Sequence, residues 1–224
     1  ITAFDRLTKY TIQGLFVVGK YGEVAGISIK TIGKPVGQTS SINFNHEIKD
    51  PNMNNAALRA LNCACDITSA VGEFNYAIEI ARPYLDYTGN SIGLALGIGY
   101  ISEIENWSIS PYIGFTGHVD FKDGRVTSVQ GIREKIEAAV RSGIREVFIS
   151  SDDEHEVTDE LRERIIIRSV VSLRDAIDKL KQRSFQTASP SLEAKITKAS
   201  TSLKIQGFKR VERENREHQI QLKY

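Results

Sequence analysis

The chain's 224 residues suffice for one full domain with an appendage, and 41% hydrophobic with 25% charged residues is the composition of an ordinary soluble globular protein. Twenty-nine Lys and Arg against 28 Asp and Glu leave +1, too balanced for a basic sheath that tracks phosphates, which disfavours nucleic acid as the main partner. The longest nearly unbroken apolar run, Ile92 to Ile101, is about half the roughly 20 residues of a membrane-spanning helix, so no membrane segment is expected.

In chain order, Ile1 rather than Met at the start, with no charged and apolar leader, reads as a fragment or processed product. Ile12–Val18 and Glu23–Ile32 are expected to form a hairpin around Lys20-Tyr21-Gly22. The first of these strands overlaps a G-x-x-x-x-G-K skeleton, Gly14 to Lys20, but Tyr21 stands where a phosphate loop needs a Ser/Thr hydroxyl for Mg²⁺, and the apolar middle reads as a strand. A helix is expected over Asn54–Val71. Its Cys63 and Cys65, two apart on a helix, point about 200° from each other and read as buried, inert thiols of a reduced, intracellular protein. Phe74–Ala81 alternates Tyr76, Ile78 and Ile80 against Asn75, Ala77 and Glu79, the period of a half-buried strand.

The apolar helix beginning near Ile92 carries Gly93, Gly97 and Gly99, whose order is wrong for a dinucleotide fingerprint and fits close helix packing. Asp123-Gly124 joins Phe115–Phe121 to Arg125–Val129, a helix covers Gly131–Arg141, and Ile144–Ser150 and Arg164–Val170 are short buried strands. Between those strands lie the acidic run Asp152 to Glu156, read as a solvated, helix-starting loop rather than a cation site, and a helix over Thr158–Arg164. Ser172 with Asp175 caps a last helix reaching about Leu180. Strands alternating with helices make a mixed α/β domain over residues 1–183. Residues 184–224, with eight basic and four acidic side chains and sparse apolar ones, form a basic polar tail or docking arm.

Chemistry concentrates at Thr88 to Gly97. There a polar, glycine-flanked turn delivers Ser91 to the mouth of an apolar helix, whose first N–H groups lack intrahelical partners and can hold an oxyanion. Ser91 as a simple helix cap is the competing explanation. A nucleophilic serine needs a base. Lys135 is the candidate: on the Gly131–Arg141 helix it borders the apolar stripe of Ile132, Ile136, Ala139 and Val140, where lost hydration pulls its pKa toward neutrality. A snorkelling lysine is the competing explanation.

Thr88 to Leu96, followed by Phe115-Thr116-Gly117, Asp123-Gly124-Arg125-Val126 and Val129-Gln130-Gly131-Ile132-Arg133-Glu134-Lys135-Ile136, resembles the proteolytic domain of Lon proteases. The resemblance continues through Ala138-Ala139, Gly143-Ile144 and Val147-Phe148-Ile149, and more weakly back to Gly14-Leu15 and forward to Leu180, so that it covers about three-quarters of the chain. It implies the α/β (α+β, mixed-sheet) Lon proteolytic fold with a C-terminal extension, Ser91 as nucleophile, and Lys135, 44 residues later, as base. It further implies that Thr116 accepts a hydrogen bond from Lys135 and orients it, with Gly89 and Asn90 in the oxyanion and substrate groove. The chain departs from the family pattern at Thr88, Asn90, Gln130, Arg133 and His118. His118 is read as a surface or interface histidine, with a pH-sensitive contact as the alternative.

The expected function is thus an intracellular endopeptidase cleaving protein or peptide substrates through an acyl-enzyme. No metal or other cofactor is expected in this chain, and ATP and Mg²⁺ only with an ATPase or sensor domain upstream. The resemblance implies a homo-oligomer, commonly a hexameric ring. Two rivals remain: a catalytically silent or latent Lon-like domain used for oligomerisation or binding, and an α/β-hydrolase, since Gly89 to Gly93 also fits G-x-S-x-G and would need an acid and one of His118, His155 or His218.

Overall fold

The computed structural model describes residues 11–33, 41–70, 75–82, 85–120 and 122–182. The tail expected over residues 184–224 lies outside them, as do Phe74, Val71 and Phe121 of the expected elements. The chain divides into two compact units, residues 1–177 and 178–224. In the first, β1 (Ile12–Val18), β2 (Tyr21–Thr31), β3 (Ser41–Phe44), α1 (Pro51–Thr68), β4 (Asn75–Ile80) and α2 (Gly93–Glu105) are followed by the short strands β5 (Ile113–Phe115), β6 (His118–Val119) and β7 (Val126–Thr127). Then come α3 (Ile132–Arg141), β8 (Glu146–Ser150), a 3₁₀ turn over Ser151–Glu156, α4 (Asp159–Arg164), β9 (Ile166–Val170) and helical residues 173–177. Of the second unit, residues 178–182 are described, and they are helical.

Seven strands form one mixed sheet in the order β3-β4-β2-β1-β5-β8-β9, and β6 pairs with β7 in a second. Four of the large sheet's pairings are parallel, β1 with β5 among them. The β1–β2 hairpin is tighter than expected: Val18 pairs with Tyr21, so the turn is Gly19-Lys20, while Tyr21 and Gly22 belong to β2. Gly19 has φ +63, which suits a two-residue hairpin of right-handed twist. The alternation of β4 is as expected, with Tyr76, Ile78 and Ile80 buried.

Helix α1 begins a turn earlier than its apolar period indicates. Asp50 caps it by accepting from Asn52 N at 2.9 Å, and Pro51 occupies the first turn, where its missing N–H costs nothing. Cys63 on α1 is buried as expected, but Cys65 is only partly so; burial raises both thiol pKa values. The glycines of α2 serve packing: a Cβ at Gly97 would lie 2.8 Å from Leu173 and one at Gly99 2.6 Å from Ile29. Gly14, in the phosphate-loop-like skeleton, lies inside β1.

The sheet has a helical layer on each face. Leu15, Val24, Val147 and Ile149 pack with Ile132, Ile136 and Ala139 of α3. Their neighbours along the strands point the other way, where α1 and α2 lie and Tyr76 meets Tyr100 edge-on at 5.1 Å between ring centroids. Helix α3 comes unusually close to the sheet, because a Cβ at Gly22 would stand 1.9 Å from the Glu134 carbonyl oxygen.

Candidate active site

The topology carries Ser91 and Lys135 to one edge of the sheet. Helix α2 leads into β5 from the opposite direction, so its N-terminus returns to the carboxyl end of β5, where Leu94 N donates to Gly117 O and Gly117 N to Ser91 O, both at 3.0 Å. The chain leaves β5 through the β6–β7 hairpin, enters α3 and comes back as β8, parallel to β5. The first turn of α3, with Lys135, therefore starts at that same carboxyl edge, the usual place for ligands in open α/β sheets. Gly131 fixes the entry with φ +72 and sits against Val17 at the end of β1.

Ser91 does not cap its helix. The cap residue of α2 is Ile92, without a side-chain hydrogen bond, and Ser91 stands one residue outside the helix, buried in a turn closed by Gly93 N donating to Asn90 O at 3.1 Å. The simple capping explanation of this serine is thereby removed.

Lys135 does not snorkel. It is 2% exposed, and burial brings its pKa down to about 8 against the upward pull of Asp153, Glu156 and Glu134. Near neutral pH such an amine is neutral in an appreciable fraction of molecules, which a general base requires.

Thr116 is completely buried just past β5, and its backbone N donates to Phe148 O at 3.0 Å. Its Oγ1 has no hydrogen-bond partner, so the bond from Lys135 that the resemblance implies is not formed. Gly89, with φ +86, lies in the turn, but its N–H donates to Asp50 Oδ2 at 2.5 Å and is not free for an oxyanion. The amides that remain candidates for that role are those of Asn90 and Ser91.

Two residues stand closer to the site than their sequence setting indicates. His118 is half-buried beside the Asn90 backbone, its Nε2 3.4 Å from Arg59 Nη1; burial and then Arg59 lower its pKa, opposed by Asp120 and the Asn90 backbone. Asp153, in the run expected to be solvated, is fully buried and accepts Val129 N at 3.3 and 3.2 Å with its two oxygens. Burial raises its pKa, while the Val129 N–H and Lys135 hold it down. Nothing in the run Asp-Asp-Glu-His-Glu distinguishes the acid that turns inward. A cleft of about 620 Å³, lined by residues that include His46, Asp50, Asp86 and Thr88, adjoins the Ser91 turn. Among the described residues, no group of three His, Cys, Asp or Glu could hold a metal ion, and no helix is long and apolar enough to cross a membrane.

Residues 74–183 match the family model of the Lon protease (S16) C-terminal proteolytic domain. This segment belongs to the Lon proteolytic family. The chain is 36% identical over 92 residues to a Lon protease of Acinetobacter baumannii, covering 40% of this chain and 11% of that protein. It is 28% identical over 150 residues to an archaeal Lon protease of Archaeoglobus fulgidus, covering 63% and 23%. A Lon protease of Malacoplasma penetrans is 29% identical over 112 residues, covering 49% and 14%. The chain thus spans less than a quarter of the length of these relatives. The mixed α/β architecture is that of the Lon proteolytic domain.

Proposed function

We propose that this Lon-type domain is a serine endopeptidase in which Ser91 attacks the peptide carbonyl and Lys135 is the base. The observation that carries the reading is Lys135, buried on the apolar side of α3 with its pKa brought down to about 8, at the sheet edge that also bears Ser91. Neutral Lys135 takes the Ser91 proton as the Oγ–C bond forms, and the Asn90 and Ser91 amides hold the oxyanion. The lysine then protonates the leaving amine; in deacylation Lys135 takes a proton from the attacking water and returns it to Ser91 Oγ as the acyl–oxygen bond breaks. Asp153 stabilises the ammonium that forms.

By likeness to the Lon relatives, the substrates are unfolded proteins or peptides, the chain assembles with copies of itself as a ring, the whole protein works inside the cell, and an upstream ATPase or sensor feeds the site. Residues 1–183 are the catalytic domain and 184–224 a basic polar tail or docking arm. A second reading, a latent site, is favoured by one observation: the Thr116 hydroxyl is buried without a partner. The test is cleavage of casein, with and without ATP, by the wild type, Ser91→Ala and Lys135→Ala. Cleavage by the wild type alone is expected, with each variant down by several orders of magnitude because the two groups act as a unit. Equal cleavage by Lys135→Ala refutes the dyad, and cleavage that appears only with the longer protein supports latency.

A further inference from the structure

The Ser91 turn is tied on two sides. Downstream, Gly117 N–H meets the Ser91 carbonyl and Gly93 N–H the Asn90 carbonyl. Upstream, the tie comes from another part of the chain: Asp50 Oδ2 accepts the Gly89 N–H at 2.5 Å across 39 residues, while Oδ1 accepts Asn52 N–H at 2.9 Å in the first turn of α1. One carboxylate thus joins a helix N-terminus to the turn that carries the nucleophile.

Gly89 needs such a tie. Its φ of +86 is a conformation that glycine alone adopts cheaply, and the space where a Cβ would stand is open, so its neighbours do not hold it by packing. The peptide plane between Thr88 and Gly89 would otherwise be free to turn, and Ser91 lies two residues on. The preceding segment is firmly placed: Tyr87 N donates to Leu85 O, Tyr87 OH donates to Ala81 O at 2.8 Å, and its ring packs on Phe16 at 4.6 Å between ring centroids. Gly89 is thus the joint between that segment and Ser91, and Asp50 is the group that accepts its N–H. The two backbone N–H groups hold the Asp50 carboxyl below the usual carboxylate range, so it stays ionised at neutral pH.

We propose that Asp50 is a positioning residue for the peptidase, its carboxylate bridging the N-terminus of α1 and the Gly89 amide so that Ser91 meets Lys135 and substrate in register. The inference rests on the reading of Ser91 as nucleophile. It also accounts for the division of labour in the turn, where Gly89 N–H is spent on Asp50 and the next two amides are left to the oxyanion.

The test uses the full chain with Asp50→Asn and Asp50→Ser, beside the wild type and Ser91→Ala. Both replacements still cap α1, since Asn and Ser are good N-cap residues. Asn offers a single acceptor oxygen for two N–H groups, and Ser is too short to reach Gly89. Hydrogen exchange read by mass spectrometry on peptides across the chain should rise over residues 86–92 and stay unchanged elsewhere. On a peptide substrate kcat should fall about 10- to 100-fold, as misplacing a reacting group by an ångström does, with KM changed less than about twofold. Unchanged exchange over residues 86–92, or kcat equal to wild type with both variants, overturns the proposal. Activity retained by Ser91→Ala instead defeats the nucleophile assignment, and the exchange measurement still decides whether Asp50 holds the turn. Exchange that rises throughout the chain identifies Asp50 as a helix cap only and also overturns it.

Discussion

Replacing Lys135 by Met should abolish peptidase activity and yet stabilise the fold. The native lysine has a pKa of about 8 against an ordinary 10.5, because burial penalises its charged form. Between those values the unfolded chain holds a proton that the native chain has lost, so native stability rises with pH across the window from about 8 to 10.5. Below about 8 the native state must carry a buried ammonium. At 1.36 kcal/mol per pH unit the gap corresponds to about 3 kcal/mol of stability forgone at neutral pH. Methionine fills a similar volume without charge. Asp153 then loses the cation that holds its pKa down, which returns part of the gain, and the net benefit should be about 1–3 kcal/mol. Urea unfolding from pH 7 to 10.5 measures it: wild-type stability should climb through this range and the variant's should be flatter. The same deprotonation should make kcat/KM of the wild type rise through about pH 8, where Lys135 becomes the free base. A variant less stable than wild type at pH 7 by about 2 kcal/mol, with no climb in wild type, would refute the argument that burial sets this lysine's state.

Two further substitutions probe how the site is held. Gly22→Ala places a methyl 1.9 Å from the Glu134 carbonyl, which neither backbone can absorb without moving. It should cost about 2–3 kcal/mol by denaturant titration and lower kcat, since the segment displaced carries Lys135. Thr116→Val removes a buried hydroxyl that has no partner and should leave stability unchanged or raise it by about 1 kcal/mol. If it instead loses more than about 1 kcal/mol, the hydroxyl has a bonding partner in solution; a fall in kcat without loss of stability would mean that it meets Lys135 during turnover.

Features written within a few neighbouring residues were legible in the sequence. The alternation of Tyr76, Ile78 and Ile80, the apolar stripe on Ile132 to Val140 and the Gly-flanked Ser91 set element types and the Lon resemblance, because a strand's or helix's buried face follows from a local period. The start of α1 is also written locally, in Asp50-Pro51 as a capping pair that precedes the apolar period beginning near Asn54. What only the tertiary structure decided are pairings between distant segments. Asp50 reaches Gly89 across 39 residues, and Val129 reaches Asp153 across 24. The inward turn of Asp153, the partly exposed Cys65 and the orphan hydroxyl of Thr116 likewise depend on which surfaces the topology lays together. Composition and period specify which side of an element is apolar. They carry no information on which carboxylate lands within hydrogen-bonding distance of which amide, because that distance is set by how separate elements pack, α1 beside α2 for Asp50 and Gly89 and α3 beside β8 for Val129 and Asp153.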